Sequence, residues 1–489
     1  MITLLTDVKD IPVPKGTYLM ADGKHYMVRA RHAGAGITLE QLKAIRCIAG
    51  ERHLPQVRID ARENIQFYNI ELEQVDGLKA ELDAIGMPAE GKLSDICVNP
   101  DTGLASGEAF DVAPYAELLG HWLSTSPAAL SMPGKFKMSL SSTAADAAHS
   151  SYADLAFFAC LRPDGSPAFS VMGGGSLGAM PRLAIALDEV AAEDFLFAAE
   201  AMAETFSAVF EGSKVHKKRL RFKMRELGED GIRALYKEKR AQVSTRALRT
   251  ALPTNAEKAR PWAQQAEALP QHPAIHPTRI PGIASLALHT VNGNLTRAQM
   301  DALIDALDGL PHETELALDG MHGIWLRDLS EREAVALLEK LQPVFGNQKR
   351  SLMASCAGRG VCRFGLAHTS GLLSIIRTCA VDDLPDIHIS GCMNSCGRHQ
   401  IAALGFDGRK PGDTVRDDLF EVYVGGRLLD GDVARIAQSV GKMRAGDVPD
   451  FLRRLSAMKA ADNPAANWSD WLLNHKGDVA AVIGELEAE

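Results

Sequence analysis

Four of the eight cysteines fall within 41 residues, as Cys356-x5-Cys362 and, after 29 intervening residues, Cys392-x3-Cys396. Thiolates at this spacing are soft donors, and four of them match the ligand count of an iron–sulfur cubane. Zinc is the rival, although structural zinc sites favour short Cys-x2–4-Cys knuckles on both sides and the five-residue spacer fits that poorly. Gly358, Gly360, Gly391 and Gly397 stand beside the thiols, where a cluster needs close backbone approach and amide hydrogen bonds to sulfur. Cys47, Cys97, Cys160 and Cys379 stand singly and read as packing residues. Cys379, between the two pairs, could be miscounted as a ligand, but its helix-like context favours burial.

A second segment with chemical content is Gly173-Gly174-Gly175-Ser176-Leu177-Gly178. It satisfies G-x-G-x-x-G after a strand-like run, with Glu193 at a suitable later distance, as dinucleotide-binding turns do. Pro181 follows almost at once and no regular βαβ unit surrounds it, which argues against that use.

The elements that must position these residues come in two copies. GKHYMVRARHAGAGITLEQLKAI, VRIDARENIQFYNI and VDGLKAELDAIG near the start are answered by GIASLALHTVNGNLTRAQMDALI, LALDGMHGIWLRDL and REAVALLEKLQPV. In each copy a strand-like run leads to Thr-x-x-Gln, Thr38 with Gln41 and Thr296 with Gln299, a capping box at a helix start. The following parts also echo each other, FSVMGG at 169–174 against VYVGGR at 422–427. Residues 241–281 carry six prolines and little apolar periodicity, as an extended linker would.

The expected organisation is therefore a half-repeat over 1–92, an αβ lobe over 93–240, the linker over 241–281, a second half-repeat over 282–346 and a second αβ lobe over 347–489. A 46% hydrophobic content is ample for buried cores in a chain of 489 residues. The net charge of −9 argues against an electrostatic nucleic-acid binder. With no signal-like start and no apolar run long enough to span a bilayer, a soluble cytoplasmic protein is expected, whose thiols stay reduced.

Cys356-x5-Cys362 with Ser-Gly-Cys-Met-Asn-Ser-Cys-Gly at 390–397 resembles the cluster signature of the sirohaem-dependent sulfite and nitrite reductases. Y-M-V-R-A-R at 26–31, A-R-E-N-I-Q at 61–66, M-P-G-K-F-K at 132–137 and G-G-G-S-L-G at 173–178 extend the likeness over nearly the whole chain. The resemblance implies an α+β fold: a duplicated ferredoxin-like repeat domain with pseudo-two-fold symmetry, plus two αβ lobes packed around a [4Fe–4S] cluster and a sirohaem. It also implies that Cys396 is shared between the cluster and the sirohaem iron. Electrons would come singly from a separate donor, a ferredoxin or a flavoprotein reductase subunit.

Within that likeness Arg62, Lys135 and Lys137 are the candidates for binding a small oxyanion and delivering protons. Lys135 and Lys137 alternate with Phe136, so on a strand both ammonium groups would share one face. Arg29, Arg31 and the basic run Lys214, Lys217, Lys218, Arg219 and Arg221 are candidates for the sirohaem carboxylates. Gly173, Gly174 and Gly175 are candidates for a backbone loop against the macrocycle, and Asn394 for a cofactor contact beside the thiols.

Three positions depart from the family pattern, since Ser94 and Gly134 stand where arginine is usual and Met321 stands where the second repeat would mirror Arg62. The second lysine of K-F-K resembles the sulfite-type enzymes, so sulfite reduction to sulfide is the expected activity. Nitrite reduction, a precorrin-3B synthase-like oxygenase and a non-catalytic iron–sulfur or zinc protein are the alternatives.

Overall fold

A computed structural model describes residues 13–32, 36–90, 96–146, 148–215, 218–243, 258–266, 268–348, 353–379, 381, 383–410, 417–431 and 433–488. Four five-stranded sheets organise them, and these are two pairs of like topology. In the first pair all strands are antiparallel. One sheet runs Thr17–Leu19, Tyr26–Ala30, Ile65–Ile70, Gln56–Ile59 and Asn294–Thr296, the other Ile275–Pro277, Ile283–His289, Gly323–Ser330, Leu316–Leu318 and Gly36–Ile37.

Each of these sheets is completed by a strand from the opposite half of the chain, Asn294–Thr296 beside Gln56–Ile59 and Gly36–Ile37 beside Leu316–Leu318. The exchanged strands lead straight into the helices Leu39–Glu51 and Arg297–Leu307, whose Thr38/Gln41 and Thr296/Gln299 capping boxes are both formed. Leu42, Ile45, Leu295, Met300 and Leu303 then share one core, to which each buried side chain contributes about 1.5–3 kcal/mol. Arg46 clamps Asp301 across the same interface through two hydrogen bonds. A strand supplied in trans cannot be removed without opening an edge in the other half, so the two repeats form one body.

The lobe sheets match strand for strand. Ile96–Val98, Met138–Ser141 and Leu155–Leu161 run parallel and are followed by antiparallel Pro167–Gly173 and Ile185–Ala191. In the second lobe Met353–Ser355, Ile387–Ser390 and Leu404–Arg409 run parallel, with antiparallel Leu419–Val424 and Gln438–Arg444. Leu155 pairs with Gly173 and Leu404 with Val424, while Gly174 and Gly425 take matching φ values of 78° and 79°. FSVMGG therefore corresponds to FEVYVG at 420–425, two residues from the alignment expected on sequence, because strand pairing rather than the glycine pair sets the register.

The stretch expected as linker is shorter where it is described. The helix Leu220–Val243 runs into it, and Ile275–Pro277 is an edge strand, the place in a sheet that tolerates a proline. Residues 244–257 and Ser94 lie outside the described residues.

Candidate active site

The four thiols of the two cysteine pairs lie close enough that each feels at least one other electrostatically, and Cys396 raises the pKa of the remaining three. Burial first, then Cys396, pushes the Cys356 thiol up to about 12, and the same causes push Cys392 up to about 11. Four thiolates here therefore require a compensating cation. Among the described residues no three His, Cys, Asp or Glu side chains converge tightly enough to hold a single metal ion. A donor set that is gathered but spread suits a polynuclear cluster better than one zinc.

The loops are built for sulfur. The Gly391 amide donates to Cys356 Sγ at 3.1 Å, and a Cβ at Gly391 would lie 2.8 Å from Gly358 Cα. Ser355, just before the first ligand candidate, is pinned by the repeat domain: Arg58 donates to its carbonyl at 2.7 Å, and His322 touches its carbonyl at 2.8 Å and its amide at 3.1 Å. Nothing in the sequence marks Arg58 or His322, because their role arises only where the repeats meet the second lobe.

Cys396 is the exposed one of the four thiols, and cations from elsewhere in the chain surround the space before it. Both Lys135 and Lys137 feel its charge. Met132–Lys137 leads into the strand Met138–Ser141 rather than belonging to it. The expected alternation nevertheless holds, with Phe136 fully buried against Phe206 and the two lysines directed away from that core. Burial first, then Arg62 and Arg219, pushes Lys137 down to about 8, and burial also lowers Lys135.

Arg62 lies half-buried on the turn after Asp60, whose carboxylate accepts from the amides of Arg62 (2.8 Å) and Asn64 (3.2 Å) and pairs with Arg29 at 3.2 Å. Burial alone would raise the Asp60 pKa, but Arg29, Arg62 and these amides hold it well below the ordinary carboxylate range. Arg219 reaches Asp154 at 3.3 Å and Ser176 at 3.2 Å, with Arg221 on Ser176 at 3.0 Å. Arg29, Arg31, Arg62, Lys135, Lys137 and Arg219 thus face one region that Asp60 and Asp154 only partly neutralise.

The glycine run is packed closely against its own lobe. A Cβ at Gly173 would meet Leu187 at 2.6 Å, at Gly174 Met224 at 2.7 Å, and at Gly175 the Tyr152 backbone at 2.6 Å, so tight packing within their own lobe demands glycine. Gly178 is the member that faces the cysteine loop, with a Cβ there lying 3.3 Å from the Asn394 carbonyl. Two hydrogen bonds between Gly178 and Gln400, of 2.7 and 3.1 Å, tie the lobes together at that point. Asn394 itself is exposed, and its amide hydrogen-bonds the Cys392 thiol. Of the basic run, Lys214 is exposed, Lys217 lies outside the described residues, and Arg219 and Arg221 turn inward. Among the lone cysteines only Cys97 is fully buried, and Cys47 is exposed near Glu51 rather than a packing residue.

Two of the departures acquire physical reasons. A Cβ at Gly134 would lie 2.2 Å from the Lys218 carbonyl, so no arginine fits there. Met321 does mirror Arg62: Met321 N donates to Asp319 at 2.8 Å as Arg62 N does to Asp60, and Trp325 matches Gln66 as the next donor to that carboxylate. By the same register Ala287 stands for Arg29, His289 for Arg31 and Asp386 for Lys137. The mirror-related cavity, of about 600 Å³ and lined by His149, Met321, Asp386 and His388, lacks the counterparts of Arg62 and Lys137, its cations being Arg427 and Lys459 from the second lobe, and no cysteine lines it among the described residues.

A duplicated scaffold with one cationic face opposite two thiol-bearing loops is an arrangement able to hold an anion beside a thiol-ligated cluster. Residues 90–244 match the family model for the nitrite and sulphite reductase 4Fe-4S domain, and residues 18–85 match that for the nitrite/sulfite reductase ferredoxin-like half domain. The cysteines lie in the second lobe, beyond the matched residues but on the same strand topology.

Among curated relatives, the ferredoxin–nitrite reductase of Synechococcus elongatus is 26% identical over 88% of this chain and 85% of its own. The protein named sulfite reductase [ferredoxin] 1 of Mycolicibacterium paratuberculosis is 23% identical over 92% and 82%. The solved structure of the Mycobacterium tuberculosis NirA protein shares the fold, with a TM-score of 0.78 at 19% identity over 95% of this chain and 90% of that one.

The chain is similar to the nitrite and sulphite reductases over both of these domains, is an oxidoreductase, and takes a [4Fe–4S] cluster and a sirohaem as prosthetic groups. The residues present fit both. The thiols are grouped beside amide donors, and among the described residues the buried Nε atoms of Arg219 and Arg221 find no protein partner, as donors to a carboxylate-rich macrocycle would. Among the described residues no helix is long and apolar enough to cross a membrane.

Proposed function

We propose that this enzyme reduces sulfite to sulfide in six electrons, with nitrite as the competing substrate. The observation that carries the reading is the set of cations from the first repeat and first lobe, Arg62, Lys135 and Lys137 foremost, gathered opposite the exposed Cys396 thiol of the second lobe. In this reading Cys356, Cys362, Cys392 and Cys396 hold the cluster, and Cys396 also serves the sirohaem iron. Arg29, Arg31 and Arg219 pair with the macrocycle's carboxylates, with Asn394 and the Gly178 loop beside them. When bound, the two groups supply electrons one at a time and an iron at which the anion is held.

The protein's own task is then electrostatic. Arg62, Lys135 and Lys137 attract the dianion and hydrogen-bond its oxygens as they depart. Lys137, with a pKa near 8, holds a proton at neutral pH and releases it readily, so it suits the donor that turns a departing oxygen into water. The second lysine of K-F-K favours sulfite.

The names of the relatives suggest a ferredoxin as donor, and thiols kept reduced for a cluster suit a cytoplasmic enzyme. The test is product analysis with purified, cofactor-loaded enzyme and reduced methyl viologen. Sulfide as the faster product supports the reading; faster ammonia formation makes nitrite the substrate, and oxygen-dependent consumption of a tetrapyrrole with neither product overturns both.

A further inference from the structure

Tyr18, half-buried on the first strand of the repeat sheet, has no role in the reading above. The Arg29 guanidinium lies over its ring at 5.2 Å from the centroid, and the Lys135 ammonium lies over it at 5.6 Å. Burial would raise the phenol pKa, yet Arg29, Lys135, Arg62 and Arg31 together bring it below its ordinary value. Lys135 needs such a neighbour. Arg62 and Arg29 repel it, and among the described residues no carboxylate lies within ion-pair distance of its ammonium.

A carboxylate would hold Lys135 but cancel the charge that an anion site requires. The negative face of an aromatic ring attracts a cation while leaving its net charge in place.

We propose that Tyr18 is a positioning residue of the oxyanion site, its ring holding Lys135 beside Arg29 without neutralising either. This rests on the anion-reductase reading above.

The test uses the holoenzyme with phenylalanine at position 18, then mono-, di- and trifluorophenylalanine, which keep the shape while draining the ring's negative face. Sulfite KM and kcat are measured, together with the sulfite dissociation constant from titration of the sirohaem absorption bands and the cofactor content per chain. Tyr18→Phe is expected to stay within about twofold of wild type, and KM and the dissociation constant to rise with each fluorine, reaching about tenfold, while kcat and cofactor content hold.

Values independent of fluorination would overturn the proposal, as would a Tyr18→Phe loss as large as the full series or a fall in affinity that only follows cofactor loss. Sulfide production by wild type decides the substrate reading beforehand; should that fail, the same series read against nitrite still tests Tyr18.

Discussion

Replacing Lys137 by methionine keeps most of the aliphatic stem and removes the ammonium alone. An ammonium about 4 Å from an anion oxygen at an effective dielectric near 20 contributes about 4 kcal/mol, and partial access of water to the cavity brings this to roughly 2 kcal/mol. A positioned proton donor adds about 10²-fold or more in rate. Lys137→Met should therefore lower kcat/KM for sulfite by at least about 100-fold, with cluster and sirohaem content unchanged.

The pH profile supplies a second reading. With its pKa near 8, Lys137 loses its proton as pH rises through that value. Wild-type kcat/KM should then fall about tenfold between about pH 7 and pH 9, a limb that Lys137→Met lacks. Lys137→Arg keeps the charge but cannot give up a proton, so KM should stay near wild type while kcat drops. Sulfite-dependent oxidation of reduced methyl viologen across this range, with iron and sirohaem assayed on the same samples, makes the measurement. Full kcat/KM in Lys137→Met, or an alkaline limb that survives it, would refute the role of this lysine.

Substituting Cys396 by serine should abolish the normal spectra of both prosthetic groups, and a retained normal sirohaem spectrum would contradict its shared position; elemental analysis of anaerobic wild type should find iron and sulfide, not zinc. Glu63 is buried and pushed up to about 8, so between about pH 4.5 and 8 the folded chain keeps a proton that the unfolded chain has released, and stability is lost as pH rises through that window. Glu63→Gln should remove this loss, of order 5 kcal/mol, and thermal midpoints that track wild type across the window would show the carboxyl to be ionised in the fold. Gly134→Arg, which restores the family's usual residue, should cost about 1–3 kcal/mol because its Cβ meets the Lys218 carbonyl, and an unchanged melting temperature would argue against that close approach.

Local chemistry explains which features were legible. The capping boxes at Thr38 and Thr296 involve residues three apart, so their geometry is written in adjacent sequence. The Cys356-x5-Cys362 and Cys392-x3-Cys396 loops and the Lys135-Phe136-Lys137 alternation are equally local. The Gly173–Gly175 run shows that space is short without showing what fills it, and the neighbours there are Leu187, Met224 and Tyr152 of the same lobe. The two-residue shift between the lobes was hidden for a related reason, since Gly-Gly recurs at 173–174 and 425–426 but only strand pairing decides which glycine turns the chain.

By itself the sequence picked out the two cysteine pairs, the duplication and the family resemblance, because cysteine spacing, helix caps and repeated hydrophobic patterns are properties of neighbouring residues. The tertiary structure set the two copies apart. Arg62 and Met321 occupy equivalent turns, yet only Arg62 joins Lys137 and Arg219 in facing Cys396. It also recruited Tyr18, Arg58, His322 and Gln400, residues with no signature of their own. Electrostatic and hydrogen-bonding partners act across a few ångströms of space, and the exchange of strands between the halves brings together side chains hundreds of residues apart.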